Sequence, residues 1–490
     1  MSEPIPAAAL VVRVGGRALI TGRRARTVPF LGGFTVFPGG RIDPADERTA
    51  EALFGGHEPM LVAKAAALRE LLEETSLLLD GRRLRGASAE LRARGFLEAV
   101  RETGARVDPA LLLPAGRWIT PEAVPIRFDT TFFFLDLEHA DPPVPDGHEL
   151  EHADAAEAEQ ILDRWRRLET LLAAPTLAAV EALAGAPADP ARALADVAQR
   201  GSGLWMESIS GIRQLPLLTP TLPPAQHTNC YLIGHQRLIA VDPATYDPSE
   251  RARLLAELER LEARGAVLER VVLTHHHHDH IGSAEWLSAQ RGVPIAAHPI
   301  TRDLLADRLR VHETLVEGDV IDLGSDAAGA PFQLGIWHTP GHAPGHLVLI
   351  DRRPGSGAIV VGDMIAAVGT IIIDPPEGDM IAYLRELARL RDLGARIVFP
   401  AHGPGVLDGR AKLEQYIAHR RMREAKVEGA LTRRSPATAE ELLPDAYDDT
   451  PKSLYPIAAR SCLAHLLKLC AEGRASRAGD RFSTTPSGFE

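Results

Sequence analysis

The densest chemistry in this 490-residue chain is the run His275-His276-His277-His278-Asp279-His280. In the spacing H-x-H-x-D-H, His275 and His277 can point to one position while Asp279 and His280 reach a second, so one loop can serve two cations. Zinc accepts both imidazole and carboxylate. A histidine tract that takes up metal only adventitiously is the alternative for the run alone. Three further candidates follow it: His342 in Thr339-Pro340-Gly341-His342, Asp363 after Val360-Val361-Gly362, and His402 after Val398-Phe399-Pro400-Ala401. A second group stands in the first half of the chain. Arg69-Glu70-Leu71-Leu72-Glu73-Glu74 puts the carboxylates of Glu70, Glu73 and Glu74 on one face of a helix, where they repel one another unless cations neutralise them. Hard oxygen ligands with room for phosphate and water suit Mg²⁺ or Mn²⁺. A solvated acidic face is the plainer alternative.

Each candidate in the second half must be positioned by a strand that ends at it. Residues 271–274, 334–338, 360–362 and 398–401 are short apolar runs leading into the four ligand segments, and loops at strand ends are where a sheet presents chemistry. Strand-like runs (CYLIG, LIAVD, VVLT, LVLI, AIVVG, RIVFP) alternate there with helical stretches, which predicts a layered α/β architecture. In the first half, residues 8–20 read as a hairpin or bent strand broken at Gly15 and Gly16, residues 63–79 as a long helix, 127–137 as a buried strand and 157–183 as helical. Prolines and glycines accumulate between residues 185 and 224, the composition of a linker or of edge strands. The expected division is a first domain over 1–190, a linker over 191–215, a second domain over 216–408 and a helical tail over 409–475.

The second-half pattern resembles the metallo-β-lactamase superfamily, whose motifs are matched by Asp242, the 275–280 loop, His342, Asp363 and His402. The resemblance implies an αββα sandwich and two Zn²⁺ ions. One would be held by His275, His277 and His342, the other by Asp279, His280 and His402, with Asp363 bridging. Asp242 would hold a ligand imidazole from behind, and Asp279 would orient the attacking hydroxide. True β-lactamases carry a different residue where Asp363 stands, so antibiotic hydrolysis is not expected. Phe37-Pro38-Gly39-Gly40 followed by the glutamate helix resembles the Nudix box. That implies an α/β/α sandwich with Glu70, Glu73 and Glu74 as metal ligands, the last two also catalytic. The box is enlarged, Asp46 stands where an early Glu is usual, and Ser76 replaces the final Gly. Trp118-Ile119-Thr120-Pro121 and Arg127-Phe128-Asp129-Thr130-Thr131-Phe132-Phe133 are similar to the acyl-coenzyme A diphosphatase branch, with a nucleotide or coenzyme A ester as substrate.

In the tail, six basic residues (Arg410, Lys412, Arg420, Arg421, Arg423, Lys426) face two acidic ones (Glu414, Glu424) on one helix, a strip that could hold phosphates or simply be solvated. The segments 415–420 (QYIAHR) and 463–466 (LAHL) resemble the small winged-helix-like tail of lactamase-like single-strand endoribonucleases, which implies Arg420, Arg423 and His465 as substrate-binding residues. Single-stranded RNA is thus the leading substrate expectation for the second domain. Thioester or other ester hydrolysis of the glyoxalase II type is the second. A non-enzymatic RNA-binding or assembly protein with a decayed Nudix module is the third.

Global properties bound these readings. The length exceeds one ordinary core, and the net charge of -12 argues against a generally polyanion-seeking surface. No apolar run reaches spanning length. The segment Met1 to Pro6 offers no basic leader, so the expected location is the cytoplasm, without a membrane partner. Cys230, Cys462 and Cys470 show no C-x-x-C spacing and read as small core residues.

Overall fold

The strand Ile5–Val14 lies inside an eight-stranded sheet because both its faces are apolar from Ala7 to Val12 and both are covered. Its alternate side chains enter opposite layers. Ala8, Leu10 and Val12 meet Ala63, Ala66, Ala67 and Leu71 of the helix Pro59–Thr75; Ala9 and Val11 meet Trp165, Leu177 and Val180. Phe128–Leu137 pairs with it in parallel, and Ala18–Arg24 and Gly39–Arg41 in antiparallel fashion. The turn at Gly15 and Gly16, with φ of +59° and +72°, is the expected break between the first two strands. The result is a sheet with helices on both faces.

This computed structural model describes residues 3–121, 126–201, 205–367 and 369–485; Met1 and Ser2 of the amino-terminal segment and residues 202–204 of the expected linker lie outside them. The chain divides into two compact units, Met1–Leu215 with Ala327–Gly329, and Pro216–Asp326 with Ala330–Glu490.

Three expectations change in the first unit. The linker over 191–215 is largely ordered structure: Pro190–Gly201 is a helix whose Ala191, Leu194 and Ala198 belong to the core beside Trp165, and Met206–Ile209 is a strand. Its small apolar residues recur at helical spacing, which outweighs the flanking prolines. The helix expected over 63–79 stops at Thr75, because Ser76 takes the left-handed conformation (φ +56°) and Leu77–Asp80 continues as a strand. The helical stretch over 157–183 is two helices, Ala158–Arg166 and Ala174–Ala184, separated by the short strand Leu171–Leu172.

In the second unit, one sheet carries His227–Gly234, Arg237–Val241, Val267–Val272, Ile295–Ala297 and Glu313–Thr314 in that order. A six-stranded sheet carries Val320–Ser325, Pro331–His338, Leu347–Asp351, Ala358–Gly362, Ile397–Pro400 and Val406–Leu407. Helices complete the αββα layering. Met380–Asp392 and the start of Gly409–Arg434 cover the second sheet through Tyr383, Leu387, Leu413 and Tyr416. The tail builds its own core from Val427, Leu431, Leu442, Leu466, Leu469 and Phe482. It extends past 475, because the hairpin Ala475–Ala478 and Arg481–Thr484 closes over that core as a wing. Cys230 and Cys462 are buried, and all three cysteines are free thiols. Among the described residues no helix is long and apolar enough to cross a membrane.

Candidate metal centre

The ligand loop begins where Val267–Val272 ends, and His277 caps the one-turn helix His278–Ile281. That turn separates the histidines into two directions. His275, His277 and His342 present ligand atoms within 4.8 Å of one another, as do Asp279, His280 and His402. Asp363 lies between the sets: its Oδ2 is 3.4 Å from His342 Nε2, while its Oδ1 is 3.4 Å from His402 Nε2 and 3.6 Å from His280 Nε2. This is the placement a bridging carboxylate needs.

Protons show that the pocket suits cations. His275 Nδ1 is 3.0 Å from Thr274 Oγ1 and His342 Nδ1 donates to the Ile372 carbonyl at 2.8 Å, so in neutral rings both Nε2 atoms carry lone pairs. Each of these lies 3.0 Å from His277 Nδ1, which has one proton for two acceptors. Lone pairs therefore face one another. Nitrogens bound tetrahedrally to zinc at about 2.0–2.1 Å would sit about 3.3 Å apart, close to what is seen. Among the described residues, His280 Nε2 and Asp363 Oδ1 are buried without hydrogen-bond partners, a cost of about 1–3 kcal/mol for each such group that a bound cation would remove.

Electrostatics agree. Burial holds His275 well below the ordinary imidazole range, and burial together with His342 pushes His277 down to about 2, so both stay neutral and able to ligate. Burial works against charge on His280 and His402, but the surrounding acceptors together prevail and raise both, Asp363 with Asp242 at His280 and Asp363 with the His227 carbonyl at His402. Burial disfavours the charge of Asp363, yet His402 and His280 prevail and hold its carboxyl well below the usual range.

Asp242 lies behind the histidine cluster. It accepts from His280 Nδ1 at 2.8 Å, from Thr274 Oγ1 at 2.6 Å and from the Thr274 amide at 2.8 Å, so it orients His280 directly and His275 through Thr274. Its φ of +47° is unusual for a residue with a side chain. Such strain costs about 1–3 kcal/mol and persists where surrounding contacts over-determine it.

Other participants carry little sequence signal. His346 is fully buried and accepts the Asp363 amide on Nε2 at 3.1 Å, with Thr339 Oγ1 2.8 Å from its Nδ1. His276, a spacer in the motif, is 2.8 Å from Glu377, whose carboxylate lies 3.8 Å from His277 Nε2. Nothing in the pattern around Glu377 announces this.

The tail residues read as substrate-binding do not form a phosphate strip. Arg420 is 3% exposed and donates to Thr370 Oγ1 and the Ile371 carbonyl. Arg423 is 6% exposed and engages the Ala446 carbonyl and Asp449. His465 is fully buried, with Nδ1 3.9 Å from Glu424. Lys426 pairs with Asp448 and Asp449, and Arg410 with Glu414. The expectation counted charges along one helix, whereas packing turned Arg420 and Arg423 inward and left Arg410 and Arg421 exposed.

In the first unit, Glu70, Glu73 and Glu74 are not among the groups whose ligand atoms converge within 4.8 Å. Arg69 binds Glu70 at 2.9 Å, Glu73 at 2.8 Å and Asp46 at 2.8 Å. Glu74 accepts the Gly39 amide at 3.0 Å and lies 3.5 Å from Arg24. Glycine is required at position 39, since a Cβ there would sit 2.6 Å from the Ala8 carbonyl oxygen and 2.7 Å from Ala9 Cα. Asp46 also accepts the Asp43 amide in a helix capping box.

Comparisons with known proteins agree with the geometry of the second unit. Residues 223–402 match the metallo-beta-lactamase superfamily and residues 438–483 the beta-lactamase associated winged helix domain. The chain is similar to a beta-lactamase-like protein 2 homolog of Drosophila melanogaster, 27% identical over 276 residues that cover 53% of this chain and 89% of that one. It is also similar to an atrochrysone carboxyl ACP thioesterase of Passalora fulva, 28% identical over 207 residues covering 42% and 57%. Among solved structures, a NUDIX hydrolase from Alicyclobacillus acidocaldarius is 30% identical with a TM-score of 0.34, covering 41% of this chain and 98% of that chain. With its strand-end histidines and aspartates gathered into a cluster compatible with metal, the segment 223–402 is a domain of the metallo-beta-lactamase superfamily, followed by a winged helix.

Proposed function

We propose that this domain is a dinuclear metallohydrolase acting on an acyl thioester, with His275, His277 and His342 holding one divalent ion, Asp279, His280 and His402 the other, and Asp363 between them. Bound zinc ions supply a nucleophilic water at neutral pH and a Lewis acid for the scissile carbonyl. The chain's own groups do the rest. Burial keeps His275 and His277 neutral, Asp242 orients His280 directly and His275 through Thr274, and Asp279, the less buried of the two site acids with 13% side-chain exposure against 9% for Asp363, orients the attacking oxygen. Water forms the new C–O bond, the C–S bond breaks, and the released proton ends on the sulfur as a thiol.

The observation that carries the choice of substrate is the burial of Arg420 and Arg423. Cleavage of single-stranded RNA, the first expectation, needs several exposed cations to neutralise phosphates, and those arginines are occupied internally. A thioester needs no such strip, and the similar Passalora fulva protein is named a thioesterase. A panel on zinc-loaded protein tests this: acyl-coenzyme A, acyl-carrier-protein or acyl-glutathione thioesters should turn over, and single-stranded RNA should not. Brisk RNA cleavage without thioester turnover would reverse the assignment.

For the first unit we propose Mg²⁺- or Mn²⁺-dependent hydrolysis of a coenzyme A or nucleotide pyrophosphate at Glu70, Glu73 and Glu74. Support comes from the charge balance: five carboxyl groups, those of Asp46, Glu70, Glu73, Glu74 and Glu149, face Arg69 and Arg24, so in their ionised form they leave an excess of negative charge that a divalent cation would answer.

A further inference from the structure

The buried arginine that the sequence assigned to RNA has a different target. Arg420 donates to the Ile371 carbonyl and to Thr370 Oγ1. The next carbonyl along, that of Ile372, accepts the Nδ1 proton of His342 at 2.8 Å. One turn earlier on the same tail helix, the Tyr416 hydroxyl accepts the Ala366 amide at 2.9 Å and sits 3.1 Å and 3.3 Å from the Ala366 and Gly369 carbonyls. Ala366 follows Asp363 by three residues, and the intervening Met364 carbonyl accepts the Tyr383 hydroxyl at 2.7 Å. The Arg420 guanidinium lies 5.5 Å from the centre of the Tyr383 ring. Further on, Arg460 of the tail forms an ion pair with Asp374. Three tail side chains therefore grip the irregular residues 364–367 and 369–374 that follow Asp363, and Ile372 among them supplies the carbonyl which orients His342.

We propose that Arg420 and Tyr416 are positioning residues for the metal centre, and that the first helix of the winged-helix tail is part of its outer support rather than a nucleic-acid surface. The physical argument is one of tautomer and backbone. A loop outside regular structure has no ladder to hold its carbonyls, so an external donor must fix them. Arg420 supplies two N–H groups from a rigid, permanently charged fork. With the Ile371–Ile372 peptides fixed, the Ile372 oxygen keeps His342 as the Nδ1–H tautomer, which leaves Nε2 as the lone pair facing His277 and Asp363. Without that fork the loop is free to rotate and the third ligand of the first ion loses its orientation. Partners of this kind that hold a ligating imidazole are typically worth about tenfold to a hundredfold in metal affinity.

Arg423 provides the control. It lies on the same helix, is equally buried and also caps a carbonyl, but its partners are Ala446 and Asp449 within the tail. The inference rests on the dinuclear-metal reading above. The experiment is competition for zinc between a chromophoric chelator and full-length wild type, Arg420→Lys, Arg420→Ala, Tyr416→Phe and Arg423→Ala, with thermal melting of the metal-free proteins alongside. Arg420→Lys and Arg420→Ala should lower zinc affinity by about tenfold to a hundredfold, and Tyr416→Phe, which leaves the ring volume in place, by less. Arg423→Ala should melt earlier yet bind zinc within about twofold of wild type. Wild-type affinity in the Arg420 variants, or an equal loss in Arg423→Ala, would overturn this inference while leaving the metal reading standing. A wild type that takes up no zinc would overturn both.

Discussion

The histidine-rich centre of the second unit and the glutamate helix of the first differ in what already neutralises them. At the former, ring nitrogens with lone pairs face one another and Asp363 faces buried imidazoles, so the protein has left the balancing charge to something else. At the latter, Arg69 is bound to three carboxylates and to the Arg41 carbonyl, so much of the repulsion is already answered. A cation entering the first site relieves unpaired groups; one entering the second must redirect Glu70 and Glu73, which Arg69 already holds. Readiness for metal thus depends less on how many ligand-type residues share a face than on whether their protons and charges are already spoken for.

The largest effect expected from this contrast is at Asp363 and His277. Asp363→Ala or His277→Ala should abolish hydrolysis and drop bound zinc from close to two ions per chain, with the circular-dichroism spectrum retained; full activity in either variant would remove the metal assignment. A smaller, graded effect should separate the glutamate site. Burial pushes Glu70 up to about 7, and burial with Glu70 beside it raises Glu74 well above the usual carboxylate range. A raised carboxyl pKa means a proton is held below it, and an incoming cation must displace that proton. The Glu70 contribution to Mg²⁺ affinity should therefore be present above about pH 7 and fall by about tenfold per unit below it, with displacement of the Glu74 proton adding to the dependence. Calorimetry between about pH 8 and about pH 6 reads this directly, and a flat profile would mean that Mg²⁺ does not use these carboxylates. Glu73→Gln and Glu74→Gln should weaken that binding without touching the zinc reaction. The smallest effect is at the end of the same helix, where Ser76 Oγ donates to the Val144 carbonyl at 3.0 Å and accepts from Arg92 at 2.8 Å. Ser76→Ala should cost about 1 kcal/mol of stability, seen as an earlier thermal transition with Mg²⁺ affinity per folded molecule unchanged; a loss of affinity would show that the helix end positions the carboxylates.

The sequence by itself determined the ligand types, their order and their attachment to strand ends. Those follow from local rules: apolar runs of strand length, a Pro-Gly turn before His342, and an H-x-H-x-D-H spacing that splits around one helical turn. It also determined the layered architecture, because alternation and helical spacing are properties of neighbouring residues. Only the tertiary structure decided which partners met. His402 donates to the His227 carbonyl across 175 positions, Asp242 reaches His280 across 38, and Glu377 reaches His276 across 101. Arg420 and Arg423 show the limit most clearly. Counting charges along a helix identifies cations but not the face they occupy after packing, and a guanidinium that satisfies an irregular loop's carbonyls has the same local sequence as one that meets solvent. Burial and hydrogen-bond satisfaction are sums over contacts distant in the chain, and they are settled only when the whole unit closes on itself.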